Sequence, residues 1–227
     1  MNIRFLGHAA FTLEADGTTV LIDPFLTGNP KAAASADEVE PDAILLTHGH
    51  PDHYGDVVDI AKRTGATVVA ITELAHELSE ELGEDHQVLD PNMGGTVSLD
   101  WGSVRVVPAW HTSTTPKGTY NTPAGLLIEL GGQRVYHLGD TCLFSDLQLV
   151  KRRGRIDVAI IPIGGHYTMD RFDAVVAAEW IGADTVIPCH YGTFPPIETD
   201  AQAFKSDVQG SGAAEVVILN PGDTHST

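Results

Sequence analysis

Four side chains that can ligate a metal lie within six residues, directly after an apolar run that predicts a buried strand. The run is Ala43 to Leu46, and the four residues are His48, His50, Asp52 and His53. Gly49 and Pro51 lie between them, which favours a tight turn rather than a regular element. Imidazole and carboxylate groups together suit zinc, manganese or iron. Their close approach would be costly without a cation, so the cluster predicts a metal site.

Three further ligand-type residues each follow an apolar strand pattern at its C-terminal end. They are His111, Asp140 and His190. Together with His48, they put potential metal ligands at the C-terminal ends of four predicted strands. Strand ends that converge on one edge of a core are a common way to build a site on a rigid scaffold. We therefore expect all of these side chains to meet at one edge.

The elements that must position these residues alternate in a regular way. Hairpin patterns lead each half of the chain, and strand–helix alternation closes each half. We expect an α+β fold of two sheets packed face to face with helices outside, in one domain over residues 1–227. Thr72 and Asp170 are predicted helix caps. A last strand is expected over residues 215–219, followed by a polar tail.

Composition excludes several classes of protein. The net charge is −18, with 13 basic and 31 acidic residues, which argues against a surface that binds nucleic acid. No apolar run reaches the ~18 residues of a membrane span. The N-terminus lacks the pattern of a signal peptide. The two cysteines, Cys142 and Cys189, are too few for a disulfide framework, and we expect both to be small buried residues. Together, the lack of a membrane span, of a signal-peptide pattern and of a disulfide framework predicts a cytoplasmic location.

The sequence resembles the metallo-β-lactamase superfamily over essentially its whole length. The resemblance rests on Asp23, the H-x-H-x-D-H run from His48 to His53, and then His111, Asp140 and His190 in order. A narrower resemblance is to a group of uncharacterised metal-dependent hydrolases related to ascorbate-6-phosphate lactonase. The motifs that carry it are Gly7-His8, Asp23-Pro24-Phe25, Thr27-Gly28-Asn29-Pro30, Gly139-Asp140-Thr141, Pro162-Ile163-Gly164, Tyr167-Thr168-Met169 and His190-Tyr191-Gly192-Thr193-Phe194.

The resemblance implies a four-layer αββα sandwich with two metal ions at one edge. One ion would take His48, His50 and His111, and the other would take Asp52, His53 and His190. Asp140 would bridge both. Three imidazoles suit tetrahedral zinc with one open position, whereas the more oxygen-rich second site also admits manganese.

The implied chemistry is hydrolysis of a small ester, lactone or phosphodiester by a hydroxide that bridges the two metals. Asp52 is expected to orient the nucleophile or to carry its proton, and His166 to donate a proton to the leaving group. Asp23 is expected to orient a ligand histidine from behind, and His8 is a candidate for a similar role or for facing the substrate. Ser113 and Thr193 lack an independent base, so hydrogen bonds within turns are expected of them.

Two questions stay open at this point. The first is whether the substrate is a lactone or other ester, or a phosphodiester. The tight loop over residues 112–123 favours a small, polar substrate, and a few cations are available for a phosphate. They are Lys117, Arg134, Arg152, Arg153 and Arg171. The second question is whether the protein is instead a metal-binding sensor or regulator of the same fold without catalysis, although all seven expected ligands are present. A homo-oligomer is suggested by analogy with lactonase relatives alone.

Overall fold

Fourteen β-strands form two seven-stranded sheets in the computed structural model, which describes all 227 residues. The first sheet contains β1 (Asn2–Gly7), β2 (Ala10–Ala15), β3 (Thr18–Ile22), β4 (Ala43–Leu45), β5 (Thr67–Val69), β6 (Val88–Leu89) and β14 (Thr224–Ser226). The second contains β7 (Thr96–Leu99), β8 (Gly102–Pro108), β9 (Ala124–Leu130), β10 (Gln133–His137), β11 (Val158–Pro162), β12 (Thr185–Cys189) and β13 (Glu215–Val216). The strand orders are β14-β1-β2-β3-β4-β5-β6 and β13-β12-β11-β10-β9-β8-β7.

Five α-helices and two 3₁₀ segments complete the fold. The helices are α1 (Pro51–Tyr54), α2 (Val57–Thr64), α3 (Thr72–Leu82), α4 (Arg171–Ile181) and α5 (Ala201–Ser211), and the 3₁₀ segments are Ser145–Arg153 and Pro195–Ile197. None of the helices combines the length and the apolar character that crossing a bilayer requires.

The apolar pattern of the strands explains the layers. In β11, Ile160 belongs to the core cluster that also includes Ile3 and Leu13 of the first sheet, so it lies between the two sheets. Its neighbours Ala159 and Ile161 belong to a second cluster on the outer face of the second sheet. This cluster also contains Ala177 of α4 and Phe204 of α5. Successive side chains of a strand point to opposite faces, so a strand buried on both faces reads as a continuous apolar run. These layers confirm the predicted α+β sandwich.

Strand direction decides where the site forms. The run β3-β4-β5-β6 is parallel, and so is the run β10-β11-β12-β13. Both β1 and β3 pair antiparallel with β2, so β1 and β3 run in the same direction. In the same way, β8 and β10 both pair antiparallel with β9 and run in the same direction. The C-terminal ends of all these strands therefore lie at one edge, where ligands collect in open α/β sheets.

Several local predictions were wrong. Asp52 and His53 lie in α1, a short helix that begins at Pro51, rather than in an irregular turn. Proline is favourable at a first helical position because its missing N–H would be unpaired there anyway. Thr72 does not cap α3, since its hydroxyl donates to the carbonyl oxygen of Asp90 instead. Asp170 does cap α4, by accepting hydrogen bonds from the amides of Phe172 and Asp173.

The polar tail is also more ordered than predicted. Residues 224–226 form β14, which pairs antiparallel with β1 at the edge of the first sheet. The pairing uses backbone hydrogen bonds, so the polar side chains gave no apolar pattern to recognise. Cys189 is buried as predicted, whereas Cys142 is exposed, and both are free thiols.

Candidate metal centre

Seven predicted ligand side chains converge at the edge where the strands end. Within the cluster, ligand atoms of His48, His50 and His111 all lie within 4.8 Å of one another. The same holds for two other groups. One is His48, His53 and Asp140, and the other is His8, Asp52, His53 and His190. The structure thus brings together residues from both sheets that are up to 182 positions apart in the chain, namely His8 and His190.

His48, His50 and His111 form the first corner of the site. Nε2 of His48 lies 3.1 Å from Nδ1 of His50, and His48 is fully buried. Burial lowers the pKa of His48 well below its ordinary value and also lowers those of His50 and His111. Neutral imidazoles at neutral pH have the nitrogen lone pairs that metal ligation requires.

Asp140 occupies the centre of the cluster. Its Oδ2 lies 3.1 Å from Nε2 of His190, 3.6 Å from Nε2 of His111 and 4.0 Å from Nε2 of His48. Its Oδ1 lies 3.4 Å from Nε2 of His53. Burial alone would raise the pKa of this carboxyl, but the His190 and His53 imidazoles hold it well below its usual range. The ionised carboxylate therefore faces both halves of the cluster.

The second corner contains buried nitrogen atoms that face carboxylates without forming a well-aligned hydrogen bond. Nε2 of His53 and both ring nitrogens of His190 are buried without a hydrogen bond. Leaving such groups unpaired costs free energy, so buried polar atoms are normally satisfied. Nε2 of His190 lies 3.7 Å from Oδ2 of Asp52, and the neighbouring Asp140 carboxylate outweighs burial and raises the pKa of His190 to about 9. These unpaired atoms beside carboxylates fit a divalent cation.

Asp23 lies behind the cluster and orients His53. Its Oδ2 accepts from Nδ1 of His53 at 2.7 Å, and the hydroxyl and amide of Thr47 donate to its two oxygens at 2.6 and 2.8 Å. Because Nδ1 of His53 donates to Asp23, Nε2 is the ring nitrogen left to face the cluster and to ligate a cation. Asp23 therefore lies where a carboxylate that fixes the tautomer and ring orientation of a ligand histidine belongs.

We expect Asp23→Asn to weaken divalent metal binding by about 10- to 100-fold. The amide can still accept from the Thr47 backbone, but its NH₂ group would oppose either the Thr47 hydroxyl proton or Nδ1–H of His53. Zinc affinity measured by competition with a chromophoric chelator checks this. Asp42→Asn is the matched control, because Asp42 accepts from the amide of Thr19 at 2.8 Å, outside the cluster. Unchanged affinity in Asp23→Asn would contradict the orienting role.

His8 contacts Asp52 beside His190, with the centroids of the two imidazole rings 4.1 Å apart. Its Nε2 lies 3.1 Å from Oδ2 of Asp52, and its Nδ1 lies 2.9 Å from Oγ1 of Thr193. Burial lowers the pKa of His8 to about 4, so its ring is neutral at neutral pH. The ring then donates from Nε2 to the carboxylate and accepts the Thr193 hydroxyl proton at Nδ1. The pKa of Asp52 is held below its usual range, against burial, by His190 and His8.

The structure does not bring His166 into the cluster. Its side chain is exposed, and the residue of this loop that reaches the cavity is Tyr167. The two rings lie edge to face with centroids 4.5 Å apart. Proton donation by His166 therefore stays a prediction from the sequence.

Sequence reasoning missed His137 and Asn121, which help to hold the candidate ligand loops in place. It also expected Ser113 and Thr193 to form hydrogen bonds within turns, whereas Ser113 accepts from Gly49 and Thr193 contacts His8. His137 is fully buried, accepts from the amide of Gly139 at 3.1 Å and has Nε2 3.3 Å from the carbonyl oxygen of Ala9, so it links the loops of the two sheets. Ser113 and Asn121 both accept from the amide of Gly49, at 2.9 and 3.1 Å. The alternating pattern of β10 places His137 inward, and that was the available signal.

Backbone strain is concentrated at the same edge. Five residues other than glycine have positive φ, and four of them directly follow or lie near strand ends at the cluster: His8, Asp23, His166 and His190. Asp and His are among the residues that tolerate the left-handed region, and strained backbone tends to occur at functional sites. The amide of His190 also donates to the carbonyl oxygen of His8 at 2.7 Å, which joins the two sheets beside the ligands.

A cavity of about 620 Å³ opens over the ligands. Its floor includes His50, Asp52, His111, Asp140 and His190. Its walls are supplied by Phe25, Pro51, Thr112, Tyr167, Phe194 and Pro196. The volume suits a small molecule, and pockets of this kind combine an apolar wall with a few convergent polar groups.

Comparison with known proteins places these observations in a family. Residues 2–190 match the family described as the Beta-lactamase superfamily domain. A UPF0173 metal-dependent hydrolase from Methanopyrus kandleri is 47% identical over 230 residues, covering 99% of each chain. One from Thermus thermophilus is 45% identical over 224 residues, covering 98% of this chain and 97% of the relative. The solved structure of Igni18, a metallo hydrolase from Ignicoccus hospitalis, superposes with a TM-score of 0.89 at 35% identity, covering 100% and 98% of the two chains.

Proposed function

Because this chain belongs to the β-lactamase superfamily and to its group of UPF0173 metal-dependent hydrolases, we propose that it hydrolyses a small ester, lactone or phosphodiester with the help of two divalent metal ions. The observation that carries the proposal is the set of seven ligand-type side chains centred on Asp140, in which Nε2 of His53 and both ring nitrogens of His190 are buried without a hydrogen bond. Nothing in that set is missing for a metal-dependent reaction.

The distances support an assignment of the ligands to two sites. His48, His50 and His111 would hold one ion, which is zinc by the preference of three imidazoles for tetrahedral geometry. Asp52, His53 and His190 would hold the second, where a carboxylate makes manganese an alternative to zinc. Asp140, whose Oδ2 approaches His111 and His190, would bridge them.

The residues of the chain then have distinct tasks. When bound, the metal ions supply a nucleophilic water at neutral pH and polarise the bond that is attacked. Asp52 would orient that water and accept its proton, because this carboxylate is 31% exposed toward the cavity while Asp140 is almost fully buried. The hydrogen bond from Nε2 of His8 fixes Asp52 in the required rotamer. The Thr193 hydroxyl in turn fixes the tautomer of His8.

Elemental analysis joined to an activity screen tests the proposal. We expect about two zinc or manganese ions per chain, by the two-metal chemistry of such clusters. We also expect hydrolysis of 4-nitrophenyl acetate, γ-butyrolactone or bis(4-nitrophenyl) phosphate that a chelator abolishes and added metal restores. A protein with two tightly bound ions and no hydrolysis of any of these would favour a sensor of the same fold. A protein with no bound metal would contradict the site assignment itself.

A further inference from the structure

One wall of the cavity over the ligands is aromatic. The rings of Phe25 and Phe194 are only partly buried, and their centroids lie 6.5 Å apart. Both rings meet His8 edge to face, at centroid distances of 5.8 and 5.6 Å, so the wall begins beside Asp52. Tyr167, which is 55% exposed, lines the same cavity. A half-exposed aromatic pair beside a polar cluster is available to an apolar ligand group.

The two phenylalanines lie in loops whose backbone is held by hydrogen bonds. The amide of Phe25 donates to the carbonyl oxygen of Asp23 at 2.8 Å, and its own carbonyl oxygen accepts from the Asn29 side chain at 2.9 Å. Phe194 precedes the 3₁₀ turn Pro195–Ile197, whose last residue is fully buried and donates to the Phe194 carbonyl oxygen at 3.0 Å. A wall fixed in this way contacts a ligand without losing conformational entropy on binding.

Apart from the metal ions proposed at its floor, the cavity has no lysine or arginine in its lining that could pair with a charged ligand group. Of the cations that the sequence offered for a phosphate, Lys117 pairs with Glu81, Arg134 with Glu129 and Arg171 with Asp207. Neither these residues nor Arg152 or Arg153 lines the cavity. The lining instead contains two carboxylates, and the whole chain carries a net charge of −18. An anionic substituent against this wall would lose hydration without gaining a partner.

We propose that the Phe25–Phe194 wall binds an uncharged apolar substituent, preferably aromatic, next to the scissile bond of the substrate. This inference rests on the proposed hydrolysis at the metal cluster, and it defines which substrates that cluster receives. From the sequence alone, the loop over residues 112–123 predicts a small, polar substrate. The aromatic wall indicates instead a substrate whose non-reacting part is apolar.

The test is calorimetric binding of three hydroxamates to the metal-loaded protein, since each carries the same metal-chelating group. The compounds are acetohydroxamate, phenylacetohydroxamate, and phenylacetohydroxamate with a carboxylate at the para position of its ring. We expect phenylacetohydroxamate to bind at least about tenfold tighter than acetohydroxamate, and the para-carboxylate to lose most of that gain. In Phe25→Ala and Phe194→Ala, the affinity ratio of the first two compounds should fall toward one.

Phe172→Ala is the matched control, because Phe172 is a 62% exposed phenylalanine at the start of α4 that does not line the cavity. It should keep the wild-type ratio. Equal affinities of acetohydroxamate and phenylacetohydroxamate, or tighter binding of the para-carboxylate, would overturn the inference. A protein that shows the aromatic preference but hydrolyses no ester, lactone or phosphodiester would keep the inference about the wall and refute the proposed function. Hydrolysis of one of these compounds without the aromatic preference would support the proposed function and overturn the inference about the wall.

Discussion

Asp140→Ala is expected to remove at least one of the two proposed metal ions per chain and to lower kcat/KM by about 10³-fold or more. Asp140 is the only carboxylate within 4.0 Å of Nε2 atoms on both sides of the cluster, namely His48 and His111 on one side and His53 and His190 on the other. Without it, two cations held close together would lose the negative charge between them. Metal content by mass spectrometry and steady-state hydrolysis measure the two effects.

Two further variants make this result interpretable. Asp140→Asn keeps the volume of the side chain and loses its charge, so it should lose metal like the alanine variant if the charge is what matters. Asp146→Ala, an exposed aspartate in the 3₁₀ segment Ser145–Arg153, should retain both ions and wild-type kcat/KM. A folded Asp140→Ala protein that still binds two ions and turns over normally would contradict the bridging assignment.

The convergence of the candidate ligands was predictable because it depends on a rule about strand direction rather than on detailed packing. Each apolar strand pattern marks where a strand ends, and parallel strands end at the same edge. His48, His111, Asp140 and His190 could therefore be placed together from the sequence alone. Asp23 follows the same logic at the end of β3, where the structure puts it 2.7 Å from the ring of His53.

The wall and the supporting residues could not be predicted in this way. Phe25 and Phe194 lie 169 positions apart in loops, and no periodic pattern specifies which way a loop side chain points. The same limit explains His166, which follows β11 at the same edge of the sheet but is exposed, while Tyr167 lines the cavity. The end of a strand predicts roughly where the next few residues lie. The direction of their side chains also depends on residues with left-handed backbone conformation, such as His8 and His190.

Asp52→Asn is expected to lower kcat by about 10²- to 10⁴-fold, the usual contribution of a positioned proton acceptor. Asp52 is the one carboxylate that both approaches the ligand cluster, 3.7 Å from Nε2 of His190, and remains 31% exposed to the cavity. An amide in its place neither takes up a proton at neutral pH nor balances the charge of a cation. Steady-state kinetics on whichever ester, lactone or phosphodiester the screen identifies would give kcat and KM separately.

The comparison with His8→Gln separates chemistry from positioning. The proposed catalytic effect of the His8 side chain runs through its hydrogen bond to Asp52, so its loss should reduce kcat by about tenfold and leave metal content nearly unchanged. Asp59→Asn, an exposed aspartate on α2, should behave as wild type. If Asp52→Asn retained wild-type kcat in a fully metal-loaded protein, proton transfer would have to be assigned to another group. If it bound both ions and lost all turnover, the catalytic role of Asp52 would be separated from its role as a ligand.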